Sequence, residues 1–410
     1  MAAIFILASP RSSIAYSVLT HEAIVDAAWE KTIQPLLQRK YPGITEEQLK
    51  EAHSYAYGGA IAPDMGYFPL GSRFFTNLVH YVRSGDFVNS LLDEAHDVNE
   101  YAFALGFLSH YMADKYGHFL GTNRCVPIVY PKMMKRYGSV VTYEEDQISH
   151  KRMEFAFDVL QTAKGNYASK AYHDFIGFNV SRSLLERAFM KTYGLDINAL
   201  FKNFSFSIRI FRLSVKSLFP ILTKAAWVTK KDEILKLEPT ATSRSFRRKM
   251  SNANYYMESG QKQKQPGFFT HGLSWLIRVL PKTGPLKSLK FKEPGLEAEK
   301  LFIQSFDTVL MNYTSSMIAL SATNINFVNI DFDTGYTTVP GEYELADVSY
   351  GALVIKLSKK RSDHLNDGLK QNIIEFYSNP EAAAAAKNEK IEWKRITRAL
   401  KRLNISQGPR

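Results

Sequence analysis

His110, Asp114 and His118 follow one another at steps of four residues in the stretch LSHYMADKYGHFLG. Four residues advance an α-helix by about 400°, so the three side chains share one face. His150 and Glu154 in ISHKRMEF repeat the spacing, and seven of the ten histidines fall within the first 154 residues. A single His-x-x-x-Asp pair is more often a solvated surface pair worth a few tenths of a kcal/mol. Here two such helices are joined by His21, Asp64 and His80, and Phe, Leu, Met and Tyr surround most of them. Ionisable groups without partners are too costly to accumulate among apolar neighbours. A metal cluster is the economical expectation. The lone Cys125 leaves imidazole and carboxylate to hold the metal, because it excludes a disulfide scaffold and any all-cysteine site.

The rest of the chain is expected to be all-α. From Glu22 to about Lys224 apolar residues recur at helical spacing, as in Ile33, Leu36 and Leu37 or Leu184, Leu185 and Phe189, and alternating β-branched runs are scarce. Breakers fall at Tyr41-Pro42-Gly43, in a long loop from Gly58-Gly59 to Pro69-Leu70-Gly71 that carries Asp64, at Ser84-Gly85-Asp86, and from Val126 to Pro131. Between Arg244 and Lys292 eleven Lys or Arg face the single acid Glu258, so this stretch supplies most of the formal +12 charge. Such a balance favours an anionic partner, whether a phosphate-bearing substrate, an acidic lipid surface or nucleic acid. The chain divides into residues 1–15, a catalytic helical domain at 16–239, a basic linker or insertion at 240–267 and a helical C-terminal region at 268–410. In that last region Leu296 to Leu320 reads as an amphipathic helix and Asp331 to Tyr343 as a turn-rich loop. Two helices then close the chain, one starting at Asn379-Pro380-Glu381.

Ala2 to Ala8 is a short apolar run, and Ser13-Ile14-Ala15 places small residues at the two positions a signal peptidase reads. Residues 1–15 are therefore read as the remnant of an export signal, with Tyr16 first in the mature chain and a secreted or periplasmic location. No Lys or Arg precedes the apolar run, so a plain N-terminal strand or helix is the alternative. No stretch approaches the roughly 18 to 20 uninterrupted apolar residues of a membrane-spanning helix.

The ordered series His21, Asp64, His80, His110-x-x-x-Asp114, His118, His150-x-x-x-Glu154 resembles the signature of the zinc-dependent phospholipase C and P1 nuclease superfamily. In particular it is similar to the bacterial branch of zinc-dependent phospholipase C family proteins. The motif covers about residues 16 to 160, and Gly272 to Phe291 also looks like that branch. The resemblance implies a multi-helix bundle around a trinuclear zinc site, with a helical C-terminal extension. One Zn²⁺ would be held by Asp64, His80, His110 and a bridging Asp114. A second would take Asp114, His21 and the amino group and carbonyl of the mature first residue, Tyr16. The third would be held by His118, His150 and Glu154. Three features depart from the family pattern: Tyr16 stands where Trp is common, the step from Asp114 to His118 is short, and the aromatic residues of a choline pocket are not matched around Met65 and Asn77.

The implied activity is hydrolysis of a phosphodiester bond, as in a phospholipase C that releases diacylglycerol from a glycerophospholipid. Clustered dications neutralise phosphoryl oxygens and acidify a bridging water, and Asp64 is the expected general base. After Pro63, Asp64 also suits an ordinary turn or cap. A secreted P1-type single-strand nuclease would use the same metals, and a non-catalytic zinc-stabilised membrane-binding protein is the third alternative. His53 and His96, among polar neighbours, are expected at the surface, while His173, His271 and His364 lie outside the signature. Tyr67, Phe68, Phe74 and Phe75 suit either a substrate cleft or core. Phe204, Ile208, Phe211, Val215, Leu218 and Leu222, interleaved with Lys202, Arg209, Arg212 and Lys216, form a basic amphipathic helix. Packing on the catalytic bundle is favoured over lying on an anionic peripheral membrane surface.

Overall fold

The computed structural model describes residues 18–167, 177–218, 226–227, 230–236, 238–241, 290–323, 325–359, 365–378 and 393–405. Among these residues the fold is all-α, with one isolated bridge between Ile330 and Thr337 and no strand. The first helix, α1 (Val18–Ala28), runs through a π-turn at Trp29–Ile33 into α2 (Gln34–Lys40), which stops at Tyr41 as its breaker requires. Helix α3 (Glu46–Ile61) is opened by a capping box between Thr45 and Gln48. It is followed by a 3₁₀ turn at Ala62–Tyr67, α4 (Arg73–Tyr81) and α5 (Ser84–Asp93). Asp97 caps α6 (Val98–Tyr116), which passes through a π-turn at Gly117–Thr122 into α7 (Asn123–Val129) and α8 (Pro131–Tyr137). Asp146 caps α9 (Gln147–Ala163). Helices α10 (Arg182–Tyr193) and α11 (Phe204–Leu213) complete this part.

The loop expected from Gly58 is corrected: α3 continues to Ile61 and the 3₁₀ turn follows directly. Glycine here serves a close helix crossing instead of a break. A Cβ at Gly59 would stand 2.0 Å from Phe103 O, and one at Gly106 would stand 1.9 Å from Ala56 O, so α3 and α6 meet main chain to main chain. Only hydrogen in place of a side chain allows that approach.

The two principal core clusters organise the elements. In the larger, Phe75, Phe87, Phe103, Phe107, Phe189 and Tyr193 are fully buried between α4, α5, α6 and α10. In the smaller, Phe157 of α9 stacks on Phe302 at 4.2 Å. Phe302 belongs to α12 (Gly295–Ala322), the expected amphipathic helix, which also reaches α6 through Tyr313 OH donating to Leu105 O at 2.8 Å. Phe204, Ile208, Phe211 and Val215 are buried too, so the basic amphipathic stretch packs on the bundle, with Lys202, Arg209 and Arg212 exposed. The side chains of Leu218 and Leu222 lie outside the described residues.

The turn-rich loop up to Tyr343 is present, and among the described residues three helices follow it where two were expected: α13 (Glu344–Leu357), α14 (Asp367–Ser378) and α15 (Trp393–Arg402). The helix start at Asn379, the linker beyond Ala241 and residues 1–17 lie outside the described residues. No described helix is long and apolar enough to cross a membrane.

Candidate metal centre

Each candidate side chain is delivered by a locally explicable piece of structure. Asp158 on α9 accepts from Leu19 N and Thr20 N at 3.1 Å and from Thr20 Oγ1 at 2.7 Å, holding the start of α1 just ahead of His21. Thr76 Oγ1 donates to Pro63 O at 2.6 Å and accepts from Gly66 N at 2.9 Å. That pair of bonds ties the 3₁₀ turn bearing Asp64 to the helix bearing His80. The turn expected for Asp64 is therefore real, and it aims the carboxylate at the cluster. His110 and Asp114 occupy the last two turns of α6, His118 the π-turn that follows, and His150 and Glu154 the start of α9.

Eight of the nine candidate residues come together, and all eight are at most 2% exposed. Three groups have ligand atoms within 4.8 Å of one another: Asp64 with His80 and His110, His21 with His110 and Asp114, and His118 with His150 and Glu154. Asp114 stands between the groups, with Oδ2 at 3.1 Å from His110 Nε2 and 3.7 Å from His80 Nε2, and Oδ1 at 3.5 Å from His118 Nε2 and 3.7 Å from His21 Nε2. The short step from Asp114 to His118 thus leaves both on one face of the helix. Tyr16 lies outside the described residues.

The hydrogen-bond pattern tests whether these groups suit a metal. His80 Nδ1 donates to Thr76 O at 2.9 Å and His110 Nδ1 to Ala60 O at 2.8 Å, since a carbonyl can only accept. In the neutral rings the two Nε2 lone pairs then face each other across 3.4 Å. They also face carboxylates, because His80 Nε2 is 3.4 Å from Asp64 Oδ1. Both oxygens of Asp64, both of Asp114 and Oε2 of Glu154 are buried without a hydrogen bond. Orphaned carboxylate oxygens in a dry interior are costly, and converging lone pairs repel, unless a cation or a proton stands among them. Imidazole nitrogen and carboxylate oxygen are donors that Zn²⁺ accepts, so the residues fit zinc.

Charge is unevenly shared. Burial alone would raise the Asp114 carboxyl, but attraction to His110 and His118 outweighs it and holds Asp114 well below the usual carboxylate value. Burial raises Asp64 and Glu154 despite their histidine neighbours. Burial and the nearby His110 push His21 well below its ordinary value.

Sequence reasoning missed one contributor from far along the chain. Asp333 Oδ1 accepts from His118 Nδ1 at 3.1 Å, and Asn123 accepts from His150 Nε2 at 2.6 Å while donating to Asp333 O at 2.7 Å. The stretch DFDTGY announces an Asx-type turn, but nothing in it points 215 residues back to His118. His53 is a correction: it is buried, stacked on Trp29 at 3.7 Å, with Nε2 at 3.2 Å from Asp26 Oδ1. His96 is exposed as expected. Phe68 and Phe75 belong to the core, packed against Phe211 and against Phe189 and Phe201, whereas Tyr67 sets its ring edge-on to His80 at 6.2 Å. His173, His271 and His364 lie outside the described residues.

Residues 20–203 match the model of a family described as "Zinc dependent phospholipase C". The matched segment is under half of the chain and contains all eight assembled residues. No curated protein and no solved structure matches the chain.

Proposed function

We propose that this chain, whose residues 20–203 belong to the zinc-dependent phospholipase C family, hydrolyses glycerophospholipids to diacylglycerol and a phosphorylated headgroup. The observation that carries the reading is the inward convergence of His80 and His110 Nε2 on each other and on Asp64 and Asp114, with both Nδ1 atoms committed to main-chain carbonyls. Such carbonyl anchors fix the tautomer and orientation of metal-binding histidines. Zinc would be held by Asp64, His80, His110 and Asp114, by Asp114 and His21 with the amino group and carbonyl of Tyr16, and by His118, His150 and Glu154. Bound there, it supplies neutralisation of the phosphoryl oxygens and an acidified water at neutral pH.

The chain's own residues then position and protect. Asp64, 3.4 Å from His80 and buried in the cluster, would take the proton of the attacking water as general base. Phe332, 5.0 Å from His80 and 5.9 Å from His110 ring to ring, keeps solvent off that pair. The net positive charge of the chain suits a phosphodiester substrate. The test is a zinc-loaded preparation assayed on phospholipid vesicles, a soluble short-chain phospholipid and single-stranded DNA, before and after chelation. Diacylglycerol release that stops on chelation and returns with zinc supports the reading. Nucleotide release without diacylglycerol assigns the site to nuclease chemistry, and loss of neither substrate overturns hydrolysis altogether.

A further inference from the structure

The loop between α12 and α13 lies outside residues 20–203, yet it reaches the metal candidates from two sides. On one side it is anchored to the α4–α5 junction: Phe332 N donates to His80 O at 3.1 Å, and Ser84 Oγ donates to Ile330 O at 2.6 Å. On the other it lies against the end of α6. Gly335 adopts φ +74°, and a Cβ there would stand 2.4 Å from Lys115 O, so the loop can approach this closely only with glycine at that point. Within the loop Asp331 Oδ1 accepts from Asp333 N at 2.8 Å and Thr334 N at 3.2 Å, a turn that presents the Asp333 side chain inward.

We propose that Asp333 is a positioning residue for the third metal of the centre, acting through His118; this rests on the zinc reading above. Asp333 is 2% exposed, and both of its carboxylate oxygens accept hydrogen bonds. Oδ1 accepts from His118 Nδ1 at 3.1 Å, and Oδ2 accepts from Tyr143 N at 2.9 Å and from the Tyr343 hydroxyl. A carboxylate so occupied is an orienter of the imidazole and not itself a ligand. It fixes His118 with the proton on Nδ1 and turns Nε2 toward Asp114 and Glu154, at 3.5 and 4.0 Å. His80 and His110 get the same service from main-chain carbonyls of their own family segment, Thr76 and Ala60. His118 alone of these three draws it from the C-terminal region, and a carboxylate makes the imidazole a stronger donor to a metal than a carbonyl does. The C-terminal region thus completes the centre chemically as well as covering it.

The experiment measures zinc content and the affinity of each ion, by competition with a chromogenic chelator, in full-length protein and in Asp333→Ala, Asp333→Asn and His118→Ala variants. Losing such an orienting group costs about 10- to 100-fold in metal affinity. Asp333→Ala is expected to weaken one ion by that factor and leave the others within about twofold. His118→Ala should weaken the same ion, and the double variant should be no worse than His118→Ala. Asp333→Asn keeps an acceptor oxygen but loses the charge, so it should restore part of the affinity, and it carries the test if the alanine variant does not fold. Cobalt substitution gives a second readout, with the absorption of one site altered and the others unchanged. Equal affinity in the parent and both Asp333 variants overturns the role while leaving the zinc reading intact. A parent chain that takes up no zinc overturns both.

Discussion

Gly59→Ala perturbs the centre without touching a candidate ligand. The added Cβ would stand 2.0 Å from Phe103 O and 2.9 Å from Phe107 N. Both are main-chain atoms, so no change of rotamer relieves the clash. Bringing the first contact to 3.0 Å, the least that real Cβ atoms show, needs a separation of about 1 Å (3.0 less 2.0) in a close-packed interior. Overpacking of this kind costs about 1 to 3 kcal/mol, against which alanine regains about 1 kcal/mol of helix propensity. A net loss of up to about 2 kcal/mol lowers the folded-to-unfolded ratio by as much as roughly 30-fold. The next residue is Ala60, whose carbonyl holds His110 Nδ1 at 2.8 Å. A retreat of about 1 Å takes that contact past the hydrogen-bond limit and frees the imidazole to turn, with a cost in zinc affinity of about 10-fold or more. Denaturant midpoints and competitive zinc titration read both effects. A variant with the parent's midpoint and the parent's affinity would refute the link between the helix crossing and the metal site.

Three further outcomes are expected. Asp158→Ala removes the acceptor that holds Leu19 N, Thr20 N and Thr20 Oγ1, and should cost about 1 to 2 kcal/mol of stability with selective weakening of the ion at His21, measured by denaturation and zinc titration. Asp158→Asn should lie between that variant and the parent, and an alanine variant as stable as the parent contradicts the cap. Burial and the neighbouring Glu344 raise the Glu144 carboxyl to about 8. Because the folded state holds this proton more tightly than the unfolded chain, its stabilising contribution is complete below about pH 4.5 and is lost as pH rises through about 8. Glu144→Gln should therefore flatten the fall in melting temperature between pH 6 and 9, and an unchanged slope sinks the assignment. Protein starting at Tyr16 should bind one zinc more tightly, and turn over faster, than protein starting at Met1, because a freed amine can coordinate. Tyr16→Trp in the processed form should change little, and equal zinc content in the two forms removes the amine from the ligand set.

The helical fold and the pairing of His110 with Asp114 and His118, and of His150 with Glu154, were legible because they depend on short periodicities, whereas His21, Asp64 and His80 were assigned to the same centre through the resemblance to the family's ordered series. A four-residue step puts His110, Asp114 and His118 on one face whatever the tertiary structure does. Other features depended on partners the local sequence does not reveal. His53 sits between Ala52 and Ser54 and resembles a surface residue, but Asp26 of α1 and Trp29 of the π-turn after it enclose it. Gly58-Gly59 reads as a breaker from propensity alone, while the tight crossing with α6 favours glycine inside a helix. Asp333 signals a turn, and only the fold carries that turn to His118.

A zinc centre is tested most directly by counting the metal, by elemental analysis, in protein purified without chelators, alongside His80→Ala and His150→Ala. Three zinc ions per parent chain are expected, with His80→Ala and His150→Ala each losing about one of them, the two losses falling on different sites, and phospholipid hydrolysis vanishing on chelation and returning with zinc. A folded parent chain that holds no zinc after equilibration, or one that still cleaves phospholipid after all zinc is removed, would contradict it.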